Sequence, residues 1–250
     1  MRKLLTAATF FFTFSAALQA QTANWFVSFQ TGTGWGGPKG SIKKTLIKNS
    51  FNQTSYFNFL GLSGKIAYPI SSSGVPALLK VGKKVKGNKS IYLLGGLTGN
   101  GEVSGFRNEG YSDFLGLFGS SVGMHVRINY NVYQLGAGFE HTLPNTKIKL
   151  GYGPALYLFN YKHSNDVEGG SNNSLVPGAS FTGRVPLGKE KRRIGVELVA
   201  DVNLAPPAKM KTLHYSFNDG TAEKTVALIP QSNVSMVQGM AGIALTFRHR

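Results

Sequence analysis

The chain has 250 residues, no cysteine, and 27 Lys and Arg against 11 Asp and Glu, a formal net charge of +16. Zero cysteines exclude disulfide staples and thiolate metal sites. Charged residues make up only 15% of the chain, below the ~25% of ordinary soluble domains, while 32 Gly, 17 Phe and 10 Tyr favour closely packed strands over helices.

The opening "MRKLLTAATFFFTFSAALQAQ" has a basic start at Arg2 and Lys3, an apolar stretch from Leu4 to Leu18 and a small-residue site before Gln21. This is the pattern of a secretory signal peptide over 1–20, leaving 21–250 as a single domain. Beyond it no apolar run approaches the ~20 residues of a transmembrane helix. A first strand is expected at 24–31. "GTGWGG", Gly32 to Gly37, has the form G-x-G-x-x-G, but Pro38 and the lysine-rich continuation read as a loop with no helix, so no dinucleotide site is expected. That segment, 32–54, carries Lys39, Lys43, Lys44 and Lys48 and no acid.

Strands are expected next at 55–68, 76–86, 89–98, 113–127, 131–142, 147–161, 173–187, 192–204 and 234–247. Period-2 alternation carries these assignments. In "RRIGVELVADVNL", Ile194, Val196, Leu198, Ala200, Val202 and Leu204 share one face. Arg193, Gly195, Glu197, Asp201 and Asn203 share the other. In "NVYQLGAGFEHT", Tyr133, Leu135, Ala137 and Phe139 oppose Gln134, Gly136, Gly138 and Glu140. The second faces are rich in Gly, Ser, Thr and Asn and poor in charge, which suits a crowded interior better than a solvated exterior. Apolar out and polar in is the pattern of a transmembrane β-barrel. Tyr56 and Tyr68, twelve residues apart on one face, would span ~40 Å of strand, or ~28 Å when tilted, close to the ~25 Å apolar band of such barrels.

The fold class expected is therefore all-β, an antiparallel up-and-down transmembrane barrel of ten strands, with eight as the alternative. An even count leaves both termini in the periplasm. "YPISSSG", "LPNT" and "GKEK" become short periplasmic turns, and 32–54, 162–172 and 205–233 become long external loops. Residues 99–112 break the pattern as an overlong periplasmic turn. In this topology Lys83, Lys84, Lys86 and Lys89 form a second external tip. Glu140, Glu197 and Asp201 face inward with Lys65, Arg127, Lys147, Lys149, Arg184 and Arg193, and Arg184 is the expected partner of Glu197.

The last strand, "VQGMAGIALTF", alternates Ala241, Ile243, Leu245 and Phe247, with Arg248, His249 and Arg250 after the aromatic residue. It resembles the C-terminal assembly signal of bacterial outer-membrane β-barrels, and the chain resembles the small OmpX-like and generic outer-membrane barrel families. The resemblance implies an outer-membrane location, insertion by the barrel-assembly machinery, and roles from adhesion to lipid modification.

Chemistry is sparse. "YKHSND" brings His163, Ser164 and Asp166 together, the groups acyl transfer requires, but adjacent strand residues point to opposite faces. His125 and His141 stand alone, without metal-ligand spacing. The reading is a non-enzymatic barrel with a largely plugged lumen, no cofactor and no metal. Its role is structural or surface-binding, with Lys39, Lys43, Lys44, Lys48, Lys83, Lys84 and Lys86 facing lipopolysaccharide or acidic glycans. Nucleic acid is not an expected partner. Two alternatives stand beside this: a narrow anion-favouring channel, and a lipid-modifying acyl hydrolase using His163 and Ser164.

Overall fold

Strands in a barrel wall must pair on both edges, and the ladder does close on itself. The computed structural model describes residues 24–59, 62–85, 87–112, 119–165, 169–188, 193–218 and 223–249, so the signal segment 1–20 lies outside the described residues. Its elements are β1 (Trp25–Gly36), α1 (Pro38–Lys48), β2 (Thr54–Phe59), β3 (Leu62–Ala67), β4 (Ile70–Ser73), β5 (Ala77–Lys84), β6 (Lys89–Ser112) and β7 (Gly119–Thr142). There follow β8 (Lys149–Asn165), β9 (Gly169–Pro186), β10 (Ile194–Leu204), β11 (Ala208–Met210), β12 (Leu213–Asn218), β13 (Glu223–Ile229), β14 (Ser232–Val234) and β15 (Gln238–Arg248). Among them β1, β5, β6, β7, β8, β9, β10 and β15 form a ring of eight, every neighbour antiparallel, closed by the β6–β7 pairing.

The ring differs from the ten strands expected in two places. Residues 55–68 are not a wall strand: Phe59 pairs with Leu62, so the chain reverses there and β2–β3 is a hairpin outside the ring. The expected strands at 113–127 and 131–142 are one strand, β7, and 89–98 continues through the supposed long turn to Ser112 as β6. Each of these two strands has 24 residues, ~80 Å of extended chain, far more than a bilayer needs. β4 hydrogen-bonds residues 101–104 of β6 above β5, so "YPISSSG" is part of the upper wall and not a turn below it.

The extra length has a chemical signature. On β7 the outward face reads Tyr133, Leu135, Ala137 and Phe139 low down and His125, Arg127 and Asn129 higher up, all exposed, with half-buried Asn131 between them. The inward face reads Gln134 and Glu140 low down, and Met124, Val126, Ile128, Tyr130 and Val132 higher up; all are buried. The same strand is membrane-type below Val132 and water-type above it. β8 changes over in the same way, with Leu150, Tyr152 and Leu156 exposed below and Lys162 and Ser164 exposed above, while Tyr157, Phe159 and Tyr161 are buried inward. From Ile148 to Leu158 the apolar outer stretch is ~34 Å of chain, which projects to ~26 Å at a 40° tilt and matches the apolar band of an outer-membrane barrel. On β10 every one of Ile194, Val196, Leu198, Ala200, Val202 and Leu204 is exposed, as the alternation requires.

Wall height is uneven. β6 to β9 are long, whereas β1, β5, β10 and β15 have 12, 8, 11 and 11 residues. The long connections leave the short side and fold against the tall one. Ile42 and Leu46 of α1, Phe51, and Ala208, Met210, Leu228, Ile229, Val234 and Met236 from the segment between β10 and β15 join the inward residues of β6, β7 and β8 in one buried apolar cluster. Gly105 makes this contact possible, since a Cβ there would lie 2.7 Å from the Phe51 Cβ. The G-x-G-x-x-G segment thus leads directly into a helix, against expectation. Gly37 caps it at φ 61° and Pro38 occupies its first turn. No βαβ unit exists around it, because β1 pairs antiparallel with both β5 and β15.

Candidate functional site

Two stacked layers occupy the interior. Above is the apolar cluster; below, at the level of the lipid-facing belt, is a charged layer to which every wall strand contributes. Glu197 of β10 accepts from Lys149 Nζ of β8 at 2.9 Å, Arg184 Nη1 of β9 at 3.3 Å and Arg248 Nη2 of β15 at 2.8 Å. The Thr246 hydroxyl lies 3.2 Å from the same carboxylate and 3.0 Å from Ser28 Oγ of β1. Arg184 also donates to Ser28 Oγ at 2.9 Å and to Gln30 Oε1. Gln30 in turn donates to Asp201. Lys80 of β5 is paired with Glu140 of β7, and its ammonium sits 3.9 Å from the centre of the Tyr92 ring of β6.

The alternation of each strand places these groups in the lumen, and the antiparallel register brings them level. Glu197 pairs with Ala244 on one side and Pro186 on the other, which sets Arg184 and Thr246 beside its carboxylate. Burial of unpaired charge is costly, and the arrangement answers that cost with ion pairs and hydrogen bonds rather than with bulk water. Glu197, Arg184 and Lys80 are each about 1% exposed. Such a layer braces the ring and cannot be read as stabilising in itself, because desolvation offsets most of the Coulombic gain.

A cavity of about 280 Å³ opens below this layer at the end where β1 begins and β15 ends, lined by Lys84, Lys149, Arg184, Arg248, Glu140 and Glu197 among others. It ends at the charged layer. Above, the Tyr157 hydroxyl lies 2.9 Å from Ala179 O and 3.1 Å from Asn203 Oδ1, marking the join between polar and apolar layers.

The residues expected at the site are divided between the two ends. Lys43, Lys44 and Lys48 are exposed on α1 at the upper mouth, on the side away from buried Ile42 and Leu46, and Lys39 donates to Ser73 Oγ at 2.8 Å. Lys83 and Lys84 are not beside them. Lys83 pairs in register with Trp25 and the Lys84 N–H donates to Asn24 O, so their turn belongs to the end where β1 begins and β15 ends. Lys86 lies outside the described residues. The expected second external tip is thus corrected: removing 55–68 from the wall reverses the direction of β5.

Within the lumen, Arg184 and Lys149 meet Glu197 as expected. Arg127 does not; it points outward and pairs with Glu102 at 3.2 Å. Lys65 lies on the external hairpin, and Lys147 and Arg193 are exposed at the turns. Lys80, Tyr92 and Gln30 were missed, although Lys80 alternates with the outward Leu79 and Val81 in "LLKVG". His163 is inward and Ser164 outward on β8, so the two do not converge, and Asp166 lies outside the described residues. Phe106 and Tyr68 surround His125 at 4.6 and 5.7 Å between ring centres on the outer wall. Among the described residues no three His, Cys, Asp or Glu side chains cluster as metal ligands.

The closed ring, the lipid-facing belt and the inward polar layer define the class: a small transmembrane β-barrel of the bacterial outer-membrane type. No family model and no curated protein sequence matches the chain. Among solved structures it is similar to Ail, the attachment invasion locus protein of Yersinia pestis, at 8% identity and a TM-score of 0.43, covering 91% of this chain and 100% of that one. It is similar also to the outer membrane protein OprG of Pseudomonas aeruginosa, at 12% identity and TM-score 0.40, with 92% and 98% covered. The outer membrane protein AlkL gives 10% identity and TM-score 0.39, with 92% of each chain covered.

Proposed function

We propose that the protein is a non-enzymatic surface-binding barrel whose upper mouth is closed and whose α1 lysines engage anionic groups outside the cell. The observation that carries this reading is α1 itself. Ile42 and Leu46 anchor it in the apolar cluster, while Lys43, Lys44 and Lys48 face solvent in a segment, 32–54, with no acid to neutralise them. Lipopolysaccharide phosphates and acidic glycans are the anions within reach of an outer-membrane mouth, and a helix pinned on one face presents its cations at little further cost in order. Barrel-assembly machinery would act on the β15 end during insertion.

The test is binding of the folded protein to lipopolysaccharide and to a sulfated or carboxylated oligosaccharide at low and high salt. Replacing Lys43, Lys44 and Lys48 together by Gln should remove the salt-sensitive component without altering folding. Unchanged binding by that variant sinks the reading. A large, stable single-channel conductance of the unsubstituted protein in planar bilayers would favour the channel alternative instead. Lipid turnover lost on Ser164→Ala would favour the hydrolase.

A further inference from the structure

Correcting the direction of β5 leaves an unexpected distribution of charge. Among the described residues, the segments at the end where β1 begins and β15 ends hold Lys83, Lys84, Lys89, Lys147, Lys149, Arg193 and Arg248 and no acid. The described residues of the upper-end segments, 33–76, 99–132, 159–175 and 205–237, hold eleven Lys and Arg and three acids, Glu102, Glu109 and Glu223. The end with the short turns, which in an outer-membrane barrel is the periplasmic one, therefore carries cations in these segments with no described acid among them.

The cations there form a ring rather than a patch. Lys84 and Lys89 flank the turn between β5 and β6, Lys147 lies in the turn between β7 and β8, Arg193 precedes β10, and all four are exposed. Lys83 marks the depth of the ring. It continues the outward face of Leu79 and Val81, and its ammonium lies 5.7 Å from the Trp25 ring centre. Trp beside Lys at the foot of an apolar belt is the chemistry of a headgroup interface. We propose that this ring is a binding annulus for anionic phospholipid headgroups of the periplasmic leaflet. A soluble acidic protein would cover one sector and would not need a cation on the lipid-facing side of the wall. A lipid annulus meets every sector at one depth.

The two tryptophans of the chain make the test direct. Trp25 and Trp35 both face outward on β1, exposed, at its two ends, separated by ~34 Å of strand. Trp35→Phe leaves a reporter at the proposed annulus, and Trp25→Phe leaves one at the opposite interface. Each is folded into phosphatidylcholine vesicles containing a minor fraction of either brominated phosphatidylglycerol or brominated phosphatidylcholine, and folding is verified by the faster gel migration of unheated samples. The Trp25 reporter should be quenched roughly twofold or more strongly by the anionic quencher, and high salt should abolish the difference. The Trp35 reporter should show no comparable preference. Adding Lys89→Gln, Lys147→Gln and Arg193→Gln should bring the Trp25 preference down. The salt dependence stands alone if that variant does not fold. Equal quenching of Trp25 by the two lipids, or the same preference at Trp35, overturns the proposal. Neither outcome depends on the α1 lysines.

Discussion

Glu197 is the hub of the charged layer, and deleting its carboxylate leaves three cations without their shared partner. Its side chain is 2% exposed, that of Arg184 1%, and those of Lys149 and Arg248 13% and 18%. Removing one member of a buried pair costs about 3–5 kcal/mol, chiefly through the stranded charge. Water from the lower cavity reaches Lys149 and Arg248, so their share is discounted and the Arg184 contact carries most of the effect. Glu197→Ala should therefore destabilise by about 3–5 kcal/mol. Glu197→Gln, which keeps one accepting oxygen, should cost about 1.5–3 kcal/mol. Guanidinium unfolding in lipid vesicles, followed by tryptophan fluorescence and by gel migration, measures both. In double-mutant cycles, Glu197→Ala with Arg184→Ala should couple near the upper end of the usual range, about 2–3 kcal/mol. The cycle with Arg248→Ala should give less than about 1 kcal/mol. Additivity in both cycles, or a neutral Glu197→Gln, would refute the reasoning.

Leu198→Arg, on the lipid face, should cost about 2–4 kcal/mol near midplane, whereas Asn129→Arg, outward on β7 above the belt, should stay within about 0.5 kcal/mol. Equal costs in vesicle unfolding would mean that the changeover near Val132 does not mark the membrane edge. Gly153→Ala should destabilise by about 1–3 kcal/mol, because the new methyl would overlap Ala137 O on the neighbouring strand; the same unfolding assay reads it. Ile42→Asp combined with Leu46→Asp should detach α1, seen as new protease cleavage within 38–48. It should still give no stable conductance, since the charged layer lies beneath.

The membrane-spanning part of the wall was legible because its chemistry obeys one rule. Each of Leu198, Leu135 and Tyr152 alternates with a small or polar neighbour, and the structure exposes all three. The strand count was not legible, because the rule changes sign along the chain. "MHVRINYNV" alternates as cleanly as "RRIGVELVADV", but its apolar residues occupy the inward parity. Taken as one pattern, Met124 to Phe139 breaks near Asn131, and a single strand is divided in two. Read as two solvents acting on one strand, the break is the membrane surface. The hairpin at 54–67 misleads for the opposite reason: its apolar face mimics a spanning strand in length, and only its pairing partner distinguishes the two.

That same distinction governs where the charged residues went. Parity alone puts Arg184, Glu197 and Lys149 in the lumen, and they meet there. Parity cannot say which end of a strand is up; that follows from the count of wall strands preceding it. One miscounted strand, 55–68, is enough to turn β5 over and carry Lys83 and Lys84 from one surface of the membrane to the other. β10 escaped because the second miscount, the division of β7, restored the parity before the chain reached it. The interior network was therefore recoverable from local alternation. The asymmetry between the two mouths is a property of topology, and it appears only once the ring is closed.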